Sequence, residues 1–453
     1  MVVPIVCKQH EDHSQQEQQK SAMVPEKEVV EYRPGLLILY SDGSFERPSD
    51  LDVPACADFD NSPNGVATRD VIIDGAQPGV WARIFLPRAA LSLGRNSLPV
   101  VLHFHGGGFC IGSPSSAHIH RTCSRMANNS SCIWISLHYR LAPEHPLPAA
   151  YDDAFSALLW LRTQASLAMA QEREPTVNIL NDDAASEMKA DPWLSEYADF
   201  SSCFLSGDSA GGTIVHFLAA RASGENLSPL QMKGMLLMHP AFPQEAPRSS
   251  MELSNVKVSF FHRSALPPGA PFGHPLMNPL HPESPIDLSL LTLPPALVAV
   301  ASNDPLLPGD VAYFQALRRA GHEAHFFESQ GMGHCFHTRY DESSAAFAGS
   351  INALEGAMVS FIQRNRIAQG DARVRVSADA KRSTEIRTQL LKRELLGIRS
   401  RRNPANKSPE TLSCKACPDS VETAILTFTF HLQILHIFEH HIRKASPRIC
   451  SPC

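Results

Sequence analysis

The chain has 453 residues, 43% of them hydrophobic and 19% charged, with a formal net charge of −6. That length holds one large domain with extensions or two or three average ones, and the mild acidity argues against nucleic acid or an anionic membrane as a partner. Eleven cysteines, an odd number, sit mostly in apolar runs, so they are expected as reduced, packed thiols rather than a disulfide framework.

Residues 1–22 are dominated by Gln, Glu, Lys and Ser and are expected to be disordered. No apolar core with a cleavage site occurs there, so no secretory signal is expected and the reduced thiols point to a cytoplasmic protein. Leu36–Tyr40 reads as a short strand entering the turn Ser41-Asp42-Gly43-Ser44. Val66–Ile73 and Val80–Leu86, joined across Asp74-Gly75 and Pro78-Gly79, predict an antiparallel hairpin at a sheet edge. Val100–Phe104 is a continuous apolar run, the signature of a strand covered on both faces. A Gly-rich turn follows, then a helix through Met126, a buried strand at Cys132–Leu137 and a helix at Tyr151–Leu161. Cys203–Leu205 and Ile214–Ala220 are the next strand and helix. Later strands are predicted at Met235–Met238, Ala296–Ala301 and His325–Phe327, with helices at Val311–Ala320 and Phe347–Ile362. Strands alternating with helices at this spacing predict an α/β fold: a mainly parallel central sheet with helices on both faces.

Two insertions interrupt the alternation. Ser166–Phe200 includes an acidic stretch. Pro240–Pro279, rich in Pro, Phe, Met and His, lies between two strands where a substrate-covering cap can sit. The folded domain is expected to span 23–366. Residues 367–453 carry a net charge of +7 against −13 for the remainder, and are read as a basic, disordered tail. Their most apolar stretch, Val421–Phe438, is broken by Glu422, His431, Gln433 and His436, so no membrane span is expected. Cys414-x-x-Cys417 and Cys450-x-x-Cys453 imitate a four-thiolate zinc pattern, but the pairs lie too far apart for the usual ribbon, and no metal is expected.

The chemistry centres on Gly207-Asp208-Ser209-Ala210-Gly211, placed where a strand should end and a helix begin. Gly-x-Ser-x-Gly at such a turn is a nucleophile elbow, in which a sharp backbone bend lifts the serine hydroxyl over the sheet edge. Alone the pattern is weak. Upstream, however, Val100–Phe104 runs into His105-Gly106-Gly107-Gly108-Phe109, whose unobstructed peptide N–H groups can converge on an anionic oxygen. The oxyanion donors are then Gly107, Gly108 and Ala210. Downstream, strand Ala296–Ala301 leads to Asp304, and strand His325–Phe327 leads to His334, in the order nucleophile, acid, base. Asp310 is the rival acid, read instead as a cap for the next helix, and His337 is the rival base. No cofactor is required.

These residues bring a family into view. The chain resembles plant-type carboxylesterases of the hormone-sensitive-lipase-like α/β-hydrolases, relatives of the gibberellin receptors. The resemblance rests on His105–Phe109, Tyr139-Arg140-Leu141-Ala142-Pro143-Glu144, Leu147–Asp153, Gly207–Gly212, His274-Pro275 with Asn278-Pro279, Asp304-Pro305-Leu306 and Gly333-His334. It covers about Val29 to Ile362 and implies an α/β-hydrolase fold, with a cap from the N-terminal segment and residues 240–279. It implies a serine hydrolase acting on small hydrophobic or phenolic esters, with Arg140 and Glu144 bracing the loop beside the elbow. Two relatives of the esterases set the alternatives: receptors that lack the histidine of the triad, and a dehydratase branch that eliminates water from hydroxyflavonoid-type substrates. Pro308 stands where the family commonly has a second acidic residue, and Gly273 where the residue before His274 is usually acidic.

Overall fold

The computed structural model describes residues 28–33, 37–41, 44–47, 51–73, 78–173, 189–243, 261, 263–267, 269–271, 273–338 and 345–367. The expected disordered N-terminus and the tail from 368 onward, with its cysteine pairs, lie outside them.

Strands β1 (Val29–Arg33), β2 (Leu37–Tyr40) and β3 (Phe45–Glu46) form a small antiparallel sheet of their own. The main sheet contains β4 (Val66–Ile72), β5 (Trp81–Pro87), β6 (Leu98–Phe104), β7 (Ile133–His138), β8 (Ala198–Asp208), β9 (Met232–Met238), β10 (Ala296–Ala301) and β11 (Ala324–Ser329). Its order is β11-β10-β9-β8-β6-β7-β5-β4. Every pairing from β7 through β11 is parallel, while β5 and β4 close one edge antiparallel.

The apolar runs behave as two-faced strands. Along β6, Leu98, Val100, Leu102 and Phe104 face one core and Val101 faces the other. This is the alternation that the pleat imposes on a strand covered on both sides. The first core receives α3 (Ala149–Arg173), α5 (Ala210–Ala222) and α6 (Leu307–Arg319), through Leu158, Leu161, Ile214, Leu218, Tyr313 and Leu317. The second receives α2 (Ala117–Ser130) and α7 (Ala345–Ile367). Two short helices, α1 (Ala90–Leu93) and α4 (Pro192–Tyr197), complete the described set.

Helix α7 is long and apolar enough by composition to cross a membrane. Here it buries Ile351, Leu354, Met358, Phe361 and Ile362, a stripe at helical spacing, against the sheet and α2. Each such side chain contributes about 1.5–3 kcal/mol when withdrawn from water. Glu355 on the same helix is buried but ion-paired to Arg125 of α2 and accepts from Asn129 Nδ2 at 2.8 Å.

Two elements outrun their sequence signals. Helix α3 continues well past Leu161 to Arg173, because Gln, Ala, Met and Glu sustain a helix without an apolar stripe. Strand β8 starts at Ala198 rather than Cys203, with a register shift against β6 at Pro99/Val100.

Candidate active site

The topology fixes where a site can form. From β6 the chain crosses to β7 on one side, and the later strand β8 pairs on the other side of β6. Such a reversal opens a crevice beyond the carboxyl ends of the two strands. Register sets Phe104 of β6 opposite Gly207 of β8, so the turn His105–Phe109 emerges beside the turn at Ser209.

Ser209 occupies that second turn with φ 53° and ψ −118°, a left-sided backbone that non-glycine residues rarely adopt. Its N–H donates to Met238 O at 2.9 Å, and its carbonyl accepts from Ala241 N at 3.0 Å, so the strained residue is held from both ends. Gly207 is required by the tightness of the bend: a Cβ there would run into the backbone of Gly211. Ala210 opens α5, and its N–H is one of the first-turn donors that a helix leaves without an intrahelical acceptor.

The loops after β10 and β11 bring the acid and base candidates to the same edge. Asp304 is buried, and its Oδ1 accepts from Leu306 N at 2.9 Å. Its Oδ2 lies 2.6 Å from His334 Nδ1, and His334 Nε2 lies 2.8 Å from Ser209 Oγ. The imidazole is therefore tethered as an Nδ1–H tautomer, with Nε2 free to accept the serine proton. The two loops are cross-tied: Asn303 N donates to Met332 O at 2.9 Å, Asn303 Nδ2 to Gly331 O at 3.0 Å, and Gly331 N to Ser302 Oγ at 2.7 Å.

On the oxyanion side, Gly107 and Gly108 both take positive φ, 115° and 62°. The Phe261 ring of the insertion packs directly over Gly108. His105 is stacked on Tyr139 with centroids 4.5 Å apart, and its carbonyl accepts from Tyr139 Oη at 2.8 Å. Burial drives the His105 imidazole down to about 3, so it stays neutral and braces the loop without exchanging protons.

The loop-bracing pair has identifiable partners. Arg140 forms a forked ion pair with buried Asp153, at 2.7–3.0 Å. Glu144 is gripped by Arg47 of the N-terminal segment, whose Nη1 and Nη2 donate to the two carboxylate oxygens at 2.7 and 2.6 Å. The same guanidinium donates to Cys110 O and Ala142 O, tying the N-terminal segment to both loops.

Among the neighbouring titratable residues, Asp310 departs from the sequence expectation. Asp310 does not cap α6; the N-cap is Leu306 with no side-chain cap. Asp310 is fully buried in the first turn, with neither carboxylate oxygen hydrogen-bonded among the described residues. Burial first, and then the charge of Asp304, raise its carboxyl well above the usual range. His337, the rival base, is buried against His239 and Phe336, and it is His334 that bonds Ser209 Oγ. His239, not singled out by spacing, accepts from Cys335 N at Nδ1, 3.0 Å, and so holds the backbone next to His334. Its signal was available only as a histidine at the end of β9.

Of the cap, residues 244–260 lie outside the described part. What is described anchors on α3: Leu147 N donates to Ala265 O at 2.8 Å, and Tyr151 Oη donates to Leu276 O. The six described cysteines are all free thiols, and no metal-binding cluster occurs among the described residues.

A family model for the α/β hydrolase fold matches residues 101–338. Tuliposide A-converting enzyme 2, chloroplastic, of Tulipa gesneriana is 35% identical, over 74% of this chain and 78% of that one. The 2-hydroxyisoflavanone dehydratase of Glycyrrhiza echinata is 32% identical, over 74% and 97%. An esterase structure from Pyrobaculum calidifontis superimposes with a TM-score of 0.52 at 26% identity, covering 68% of this chain and 88% of that one.

Proposed function

Because the chain belongs to the α/β-hydrolase fold family, we propose that it is a serine carboxylesterase cleaving esters of small hydrophobic or phenolic compounds. The observation that carries this reading is the unbroken relay Asp304–His334–Ser209, at 2.6 and 2.8 Å, beside a glycine turn. His334 Nε2 takes the Ser209 proton as Oγ attacks the ester carbonyl carbon. Negative charge collects on the carbonyl oxygen, facing the N–H groups of Gly107, Gly108 and Ala210. The tetrahedral species collapses, the C–O bond to the alcohol breaks, and His334 returns the proton to the departing oxygen. Water then loses a proton to His334 and attacks the acyl-Ser209 carbonyl; the acyl–Oγ bond breaks, His334 returns the proton to Oγ, and the acid is freed. Asp304 holds the imidazole tautomer and offsets its positive charge throughout.

The test is a panel of nitrophenyl esters of increasing acyl length, with Ser209→Ala alongside. Wild-type turnover no greater than that of Ser209→Ala rejects the reading. A receptor role on this scaffold is disfavoured by the intact histidine of the relay; loss of fluorophosphonate labelling in Ser209→Ala separates the two in one gel.

The likeness to a dehydratase supports a second reading, in which the same edge removes a proton and expels water from a hydroxylated flavonoid. Incubation with a 2-hydroxyisoflavanone distinguishes them: product formation undiminished in Ser209→Ala favours elimination.

A further inference from the structure

Asp208 precedes the nucleophile, yet its side chain, only 10% exposed, points below the elbow rather than into solvent. Two loops and a strand converge on that one carboxylate. From the oxyanion turn, Gly106 lies directly against it. A Cβ on Gly106 would lie 2.5 Å from Asp208 Oδ2 and 3.3 Å from Ser209 Cβ, so glycine at 106 is what lets the turn close onto the carboxylate. From the histidine loop, the Cys335 thiol donates to Oδ2 at 3.8 Å, one residue from His334. From the strand beneath, His103 Nε2 sits 3.7 Å from Oδ1.

This is not an ordinary ion pair. Burial drives His103 down to about 3, so the ring beside Asp208 is neutral. The other titratable groups near it are Cys123 of α2, Tyr139 and His334. Burying a carboxylate without a cation is costly unless it is hydrogen-bonded, and a side chain serving only to fill this space would be better apolar. Its contacts are with the two loops whose placement the chemistry needs: the close approach of Gly106 and the bond from Cys335.

We propose that Asp208 is a positioning residue, whose carboxylate draws the oxyanion turn and the histidine loop against the nucleophile elbow. The inference rests on the esterase reading of the same site. A misplacement of about 1 Å in such machinery lowers turnover by about 100-fold.

The experiment compares wild type, Asp208→Ala, Asp208→Asn, Gly106→Ala and the Gly106→Ala/Asp208→Ala double variant on a short-chain nitrophenyl ester. Rates are expressed per fluorophosphonate-titrated site, with melting temperature measured in parallel. Asp208→Ala should lower kcat by about 100-fold while KM stays within about threefold. Asp208→Asn, which keeps the shape against Gly106 and an acceptor for the Cys335 thiol, should recover at least about tenfold of that loss. The double variant should be little worse than either single one, because both break the same contact. Asp208→Ala with kcat within about twofold of wild type, or losses that multiply in the double variant, overturns the proposal. If Asp208→Ala does not fold, Asp208→Asn and Gly106→Ala decide alone: wild-type kcat in both overturns it. A wild type that labels without hydrolysing defeats the esterase reading; the labelling rate of the variants then judges Asp208 independently, and an unchanged rate overturns its role.

Discussion

The edge that carries Ser209, Asp304 and His334 and the segments that cover it are held by different means. At the edge, each candidate residue lies within five residues of the end of a parallel strand, and the loops are tied together by backbone and short side-chain bonds. The cover is fastened at a few points: Arg47 to the two loops, Ala265 and Leu276 to α3, and the Phe261 ring over Gly108. Arg47 and Glu144 keep 28% and 50% of their side chains exposed, and exposed pairs of this kind contribute at most about 1 kcal/mol. On the proposed reading, chemistry falls to the cross-tied edge and substrate choice to the segments that cover it. Substitutions should divide the same way, those at the edge changing kcat and those in the cover changing KM.

The largest effect tests the edge directly. Ser209→Ala should lower kcat by about 10⁶-fold, and His334→Ala by nearly as much, with a combined variant no worse than either. Near-additive losses, measured on the same ester, would mean that the two residues do not act as a unit. Asp304→Asn should follow at about 10⁴-fold, because the amide turns the imidazole to the wrong tautomer while Leu306 N keeps its acceptor. A melting temperature equal to that of wild type, with that loss of rate, places the effect on tautomer rather than fold.

A third prediction concerns the frame beneath the edge. Burial lowers His103, His105, His216 and His337 to about 3, against an ordinary value near 6.5. Between pH 6.5 and about 3 the unfolded chain binds protons at these rings that the native state refuses, so stability falls as pH falls. Four such groups together cost up to about 5 kcal/mol per pH unit below 6.5. Asp208, raised to about 6 by burial, runs the other way: its native form keeps a proton that the unfolded chain has lost, so its contribution declines as pH rises from about 4 to about 6. Urea midpoints at pH 7.5 and 5.5 should show the net loss in acid. Asp208→Asn, measured against wild type, should gain relative stability as pH rises from about 4 to about 6 and then level off.

The smallest effects belong to the cover. Arg47→Ala should raise KM by about three- to tenfold with kcat within about threefold, since the loops it clasps retain their own bonds. Phe261→Ala should shift preference toward longer or bulkier acyl or alcohol groups. A kcat loss of about 100-fold or more in Arg47→Ala, judged by the scale of loop misplacement, would show that the N-terminal segment shapes the edge itself and would erase the distinction between the regions.

How much of this was legible follows from range. Val100–Phe104, Cys132–Leu137 and Ala296–Ala301 announce themselves because a strand covered on both faces must be apolar throughout. Ser209, Asp304 and His334 announce themselves because each sits a few residues beyond such a strand. The small sheet β1–β3 was only partly visible, one strand of three, since Val29–Arg33 mixes apolar and charged residues and Phe45–Glu46 is two residues long. Asp310 reads as a first-turn acid on any helix wheel, and nothing in its neighbours reveals that it is buried beside Asp304.

The sequence by itself determined the order of strands and helices and the identity of the candidate nucleophile, base and acid, because those depend on contiguous patterns a few residues long. Only the tertiary structure decided that β8 pairs beside β6. That pairing sets Gly106 against Asp208, and the rest of the tertiary fold joins His239 to the backbone at Cys335 and lets Arg47 reach loops 63 and 97 residues away. The physical reason is that a hydrogen bond or a close approach is set by distance in space, and residues this far apart along the chain meet only once the sheet has folded.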